Sequence, residues 1–545
     1  MSMTEDQKVR VIREVLTAHK EHWQMQEPNM RKLRQVYLTK FFEDISIDET
    51  SIRVETSDGY TFIESYIASL FEKSPAVEVD SMKTKTENVE LARQVVNNWL
   101  SDNRKALENG SRLALIYPMS FFKVSPRVSD DPLNRVAIRA IEPWNVILDR
   151  DADLWEEQRY VGHHYYLPLT DARRMYGNKR YNPVSKPSYF DDGRRDGTFN
   201  ALPDQYQYLE IVEFYDLEED KMYVYTPNIK TTGGFLEKTK IPLRTYDDRP
   251  LIPISPLYYS RVPDKPMDGY STLSRIYDQL FEKNILRTFW ANAIRRDSRQ
   301  YIYKEGTIDE EGLAKIASGQ DGVMIPVDNE TLDGIIRTVP VEPLSSNFDR
   351  YQNYVEADIQ RGSIIAPFTK GEATKATATE VTALAQYTAS EIGRMARERD
   401  EAIEQLAQIF VRMLVYTLEP GDKPVIMVGK KARFVTADAL DHKFKYFALD
   451  QASTPLSKEM KKRQLLELLP VLGQLGVPQN KLLEDVVRAF ELNETYLEMV
   501  KPEEGSASKA ASAEVVEGQP TSGAEALAQE LVGSARSIPL PTPGE

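Results

Sequence analysis

Residues 377–418 limit the fold of this chain more than any other stretch. Thr377 and Glu380, three residues apart, have the spacing of a capping box, which marks a helix start. Behind them Val381, Leu384, Ile392, Met395, Ala402, Leu406, Ile409, Met413 and Leu418 keep one apolar face aligned, and Pro420 with Gly421 stops the run. About forty helical residues at 1.5 Å each span roughly 60 Å, which is long for a globular helix. Such a rod predicts an extended body braced along it, or a contact between subunits.

Two further helices precede the rod. Residues 271–294 carry Leu273, Ile276, Tyr277, Leu280, Phe281, Ile285, Phe289, Trp290 and Ala293, a broad apolar stripe. Ser346, with Asp349 three residues on, opens the second, which carries Phe348, Tyr351, Val355 and Ile359. Between the two lie strand candidates at 300–303, 323–327 and 335–341 and a helix candidate at 309–317. Two helices bracketing a small α/β lobe predict a stalk with a head on its end.

The rest of the chain divides by texture. Helical spacing marks 1–42, 61–71 and 87–110, with a short strand at 76–79. Residues 113–266 hold β-like runs at 121–124, 136–141, 160–166, 208–215, 222–225 and 251–259. Pro, Gly, Asp and Arg make 178–204 a long loop. Beyond the rod come strands at 425–428 and 443–448 and helices at 457–469, 480–489 and about 494–500. No aromatic residue follows Tyr496, so 501–545 is predicted to be mostly disordered. The fold class is α+β and helix-rich.

Composition removes several functions. The 545 residues, 41% of them hydrophobic, are too many for one ordinary core and predict about three or four compact units. With no cysteine, disulfides, thiolate metal sites and cysteine nucleophiles are excluded. Sixty-nine basic against 84 acidic residues give −15, a balance that repels DNA except where basic groups cluster. The start of the chain carries Glu5, Asp6, Lys8 and Arg10 and does not look like a secretory signal. No run of 18 apolar residues occurs.

Motifs for catalysis fail on spacing. Neither 233–239 nor 371–375 has the glycine–lysine arrangement that converges on phosphates, and no nucleophile elbow is present. Asp149, Asp151 and Asp153 alternate like the opening of a calcium loop, but Leu154 stands where that loop needs glycine and Tyr160 where it needs glutamate. A solvated turn is the expected outcome, and a metal-dependent hydrolase or nuclease using these three carboxylates is the alternative. His163 and His164 are neighbours in a strand and face opposite ways, while His19 and His22 share a helix face without a third ligand. Two basic spots stand out. One is Arg361, Lys370 and Lys375, with Glu372, in a small-residue stretch; the other is Arg295, Arg296 and Arg299.

Three motifs in this order resemble a bacteriophage portal protein across about 1–500. FIESYIASLF at 62–71 leads into KSPAVEV at 73–79; EPWNVILD at 142–149 is followed by Asp151-Ala152; DGYS at 268–271 opens a helix. The helix, insert, returning helix, small-residue loop and very long helix follow the portal order. The resemblance implies a homo-oligomeric ring, usually of twelve, at one capsid vertex. It implies a wing at 1–265 and 378–454, stem helices at 266–296 and 344–361, a clip at 297–343, a tunnel loop at 362–377 and a crown at 455–500 around an axial channel. Arg361, Lys370 and Lys375 would face passing double-stranded DNA. Arg295, Arg296, Arg299, Asp309, Glu310 and Glu311 would lie in the clip, which docks the terminase large subunit and later a neck or tail adaptor. The major capsid protein and a scaffold complete the implied partners. No cofactor and no enzymatic activity are implied, and the protein would be made in the host cytoplasm and end in the virion. Twelve copies at −15 each would carry about −180 charges, a channel that repels DNA rather than gripping it. A virion scaffold or adaptor of another kind would share the helix-rich composition but not this order.

Overall fold

The computed structural model describes residues 4–43, 52–81, 84–177, 181–184, 207–229, 234–297, 301–303, 308–318, 336–338, 346–363, 378–428 and 431–449. The chain divides into two compact units, Met1–Lys458 and Glu459–Glu545. The second lies outside the described residues, with the helices expected at 457–500 and the tail at 501–545. Most of the loop at 178–204 and the strand at 323–327 lie outside them too.

Four helices and a strand open the first unit: α1 (Glu5–Tyr37), α2 (Asp58–Leu70), β1 (Val77–Asp80), α3 (Thr86–Asp102) and α4 (Arg104–Ile116). Thr4 and Gln7 close a capping box at the start of α1. The single helix expected at 87–110 is two. Asn103 leaves helical geometry, and both its backbone N–H and its side-chain amide donate to the Trp99 carbonyl, at 3.1 and 2.8 Å. A side chain that satisfies the last turn in this way ends the helix.

A β-rich stretch follows: β2 (Ser120–Pro126), β3 (Val136–Ile141), β4 (Val146–Leu148), β5 (Tyr160–Pro168), α5 (Leu169–Tyr176), β6 (Tyr208–Asp216), β7 (Lys221–Tyr225), β8 (Phe235–Lys240), β9 (Ile254–Leu257), β10 (Arg261–Val262) and β11 (Lys265–Gly269). β4 to β8 form one antiparallel sheet in chain order, and β3, β2 and β9 form a second with β2 central. Gly269 ends β11 where a Cβ would lie 1.8 Å from the Pro118 carbonyl oxygen, so only glycine fits.

The remainder is α6 (Tyr277–Asp297), β12 (Tyr301–Tyr303), α7 (Glu310–Ser318), β13 (Ile336–Thr338), α8 (Ser346–Ser363), α9 (Ala378–Thr417), β14 (Val425–Val428), β15 (Lys431–Phe434), α10 (Ala437–Leu440) and β16 (Lys445–Ala448). The rod is there as α9, forty residues long. α6 begins later than expected, because the Ser271 hydroxyl is held by the Ile116 carbonyl at 2.7 Å and a 3₁₀ turn intervenes. β1 pairs antiparallel with β16, Val77 opposite Ala448.

Two units, rather than three or four, follow from how α9 packs. It touches α2, α3, β2, β9 and β16, so the N-terminal helices and the three-stranded sheet share one core. Trp99 stacks on Phe410 of α9 at 4.2 Å between ring centres, and Phe62, Tyr66, Leu70, Leu406 and Leu414 belong to the same buried core.

Candidate assembly surface on a helical hairpin

α6 and α8 pack as an antiparallel pair. Lys283 meets Glu356 and Glu282 meets Tyr351 toward one end, while Phe289 and Trp290 meet Phe348 toward the other. At that other end β12 and β13 pair antiparallel, Tyr301 opposite Thr338, and α7 lies between them in sequence. The two helices are there, with two short paired strands and a helix between them in sequence, while the strand expected at 323–327 lies outside the described residues.

α6 carries apolar residues on more than one side, interleaved with polar ones. One side is taken by α8 and a second by residues 52–56, yet Ile285, Phe289, Trp290 and Ile294 stay exposed, Phe289 at 57%. Tyr351 and Tyr354 of α8 are exposed as well, Tyr354 at 62%. Isolated exposed apolar residues need no explanation, but six large ones on one hairpin form a surface suited to covering.

The polar side of α6 is specific. Lys283, largely buried, is held by Asp58 at 2.9 Å and Glu356 at 2.8 Å. Burial opposes its charge, but the two carboxylates win and raise its pKa above the ordinary lysine value. Asn284, Thr288 and Asn292, four residues apart, bind the backbone of Thr56, Val54 and Ile52. Sequence reasoning missed these residues. Their signal was a polar set at i, i+4 and i+8 within an apolar helix.

The residues singled out from sequence fall as follows. Arg295 and Arg296 lie in the last turn of α6, and Arg299, Lys370 and Lys375 lie outside the described residues. Asp309 caps α7, its carboxylate accepting from the Gly312 N–H at 2.9 Å, and Glu310 and Glu311 form the first acidic turn. Arg361 is not in a loop. It lies in the last turn of α8, exposed, with Asp358 at 3.2 Å.

The aspartate triplet lies on a turn with Asp151 and Asp153 exposed, as expected, but Asp149 is a correction. Asp149 is buried and not solvated; Arg159 grips it through two N–H groups at 2.5 and 2.9 Å and reaches Asp151 at 3.0 Å. That guanidinium holds the Asp149 carboxyl below the usual aspartate range. Gln158 completes the join with bonds to the Asp149 backbone N–H and carbonyl at 2.8 and 2.9 Å. This is a structural clamp on the turn after β4, and its carboxylate oxygens are already engaged. His163 and His164 do face apart. The first contacts Lys123 at 2.9 Å and the second lies 3.0 Å from Glu210.

Neither a family model nor a curated protein matches the chain. Among solved structures it is similar to one described as the neck of an empty GTA particle computed with C6 symmetry. The likeness covers 77% of this chain and 90% of that one, at 11% identity and a TM-score of 0.36, too low to carry any inference about this protein.

Proposed function

We propose that this chain is the subunit of a portal-type ring, a non-enzymatic conduit for double-stranded DNA at a capsid vertex. The observation that carries the reading is the exposed apolar surface of the α6–α8 hairpin, which a single chain leaves uncovered and a neighbouring copy would bury. The order of hairpin, lobe and forty-residue helix supports it, as does the acidic balance, since a conduit must let the duplex slide. In this reading α6 and α8 are the stem, residues 297–343 are the clip that meets terminase and then an adaptor, and residues 362–377 face the channel with Lys370 and Lys375.

The test is assembly. Imaged end-on after purification, the protein is expected to form rings of roughly twelve with an axial hole, at concentrations where mass action favours the assembled state. Ile285→Asp with Phe289→Asp places two charges on the surface meant for covering, and is expected to shift the protein to monomers with unchanged circular dichroism. Wild-type protein that stays monomeric through the high micromolar range, or rings that survive both aspartates, would overturn the reading.

A further inference from the structure

We propose that residues 52–56 are a releasable strap that fixes the hairpin against the body of the fold, with Lys283 as a pivot that stays attached when the strap lets go. The device belongs to the single chain and does not depend on ring formation.

The geometry comes from two periodicities. Four residues of α-helix rise about 6.0 Å. Two residues of extended chain advance about 6.6 Å. Side chains four apart on α6 can therefore meet every second backbone unit of a segment lying alongside, and they do. The Asn292 side chain accepts from the Ile52 N–H and donates to the Ile52 carbonyl, both at 2.8 Å. The Thr288 hydroxyl accepts from the Val54 N–H at 2.9 Å and lies 3.5 Å from the Val54 carbonyl. Asn284 accepts from the Thr56 N–H at 2.8 Å. Each bond reads backbone alone.

The ladder ends at Asn284. One step further along the same face stands Leu280, buried and apolar, and the Asn284 amide is already spent on the Leu280 carbonyl at 2.7 Å. No other rung exists in that direction. On the body side Glu55 and Thr56 tie the strap. Glu55 accepts from the Phe42 N–H at 3.1 Å, and Thr56 donates to Asp58 at 2.7 Å.

The two attachments differ in strength. The rungs differ in burial: Thr288 and Asn284 are buried, at 9% and 0% exposed, whereas the Asn292–Ile52 end is held only by solvent-accessible hydrogen bonds of modest net worth. Contacts of that kind open locally without global unfolding. Lys283 is largely buried between two carboxylates and sits beside Asn284, at the Thr56 end. Opening therefore runs from Ile52 toward Thr56, and the hairpin can lean about Lys283.

Hydrogen exchange on the full-length protein tests this. Thr288→Val with Asn292→Ala is expected to speed exchange of the Ile52 and Val54 amides about tenfold, with Thr56, α2 and α6 close to wild type. Adding Lys283→Met should extend the fast exchange to Thr56 and the first turn of α2. Unchanged exchange at Ile52 and Val54, α6 exchanging in step with them, or Thr56 released before Lys283 is altered would each overturn the proposal. In wild-type protein, tryptic cleavage after Arg53 under native conditions should outpace global unfolding; equal rates would overturn it without any substitution.

Discussion

Lys123→Met is expected to lower stability by about 3–5 kcal/mol at neutral pH, the range for removing one partner of a buried ion pair. Lys123 projects from β2 where the two main sheets meet. Its ammonium lies 2.6 Å from Glu213 and 2.9 Å from His163 Nδ1, and over the Tyr165 ring at 5.4 Å. The side chains of Lys123 and Glu213 are only 12% and 17% exposed, so water cannot replace the lost partner. In the variant the Tyr215 hydroxyl, at 2.8 Å, would still donate to Glu213, but the compensating cation would be gone. Urea unfolding should show the midpoint falling with the slope unchanged. A loss under 1 kcal/mol would mean the pair is not buried in solution.

The same cluster sets a pH dependence. Burial pushes the Glu213 carboxyl up, but Lys123 and His163 outweigh it and hold the value at about 2. Burial, and then Lys123, hold His163 well below 6.5. Both folded-state values lie below the unfolded ones, so the unfolded chain binds more protons in acid. Stability from this site is complete above about pH 6.5. It falls first as unfolded His163 gains its proton, and again from about pH 4.5 down toward 2 as Glu213 does. Without Lys123 both values should rise, Glu213 past the ordinary carboxylate range because burial then prevails, and the acid limb of the stability curve should flatten.

Arg399→Leu is expected to cost about 3 kcal/mol or more. Arg399 lies mid-way along α9, 2% exposed, and its guanidinium holds Asp400 at 2.6 and 2.8 Å. It also donates to the carbonyl of Leu70, the last residue of α2, and lies over the Phe71 ring at 5.7 Å. One side chain thus satisfies a helix-end carbonyl and fastens two helices together. Arg399→Lys keeps the charge but not the fork, so it should recover only part of the loss. Calorimetry on the two variants separates these outcomes. Equal losses for Leu and Lys would assign the whole effect to planar geometry.

Much of the fold could be read where spacing and punctuation agree. β3 matches residue for residue, since Val136, Ile138 and Ile141 are the buried positions and Pro143 follows close behind. α9 emerged at its full length because nothing inside it breaks the apolar register. The break at Asn103 was invisible, for it depends on where one amide bonds and not on a helix breaker. β8, Phe235–Lys240, was missed because four of its six residues are exposed and carry no alternation of apolar and polar. The apolar residues of α6 were plain from sequence, but they do not form one stripe, and which of them remain uncovered depends on strap and partner helix. The turn at 149–153 was legible, but the burial of Asp149 was not. Its partner Arg159, ten residues on, carried no recognisable spacing.

The pairing of β1 with β16 has a consequence for synthesis. Asp80 emerges from the ribosome 365 residues before its partner Lys445. At about 5–20 residues per second, β1 waits roughly 20–70 s with its hydrogen-bonding edge open. The surface that α9 will cover is bare for nearly as long. Any stop codon ahead of residue 445 would leave β1 permanently without its partner strand.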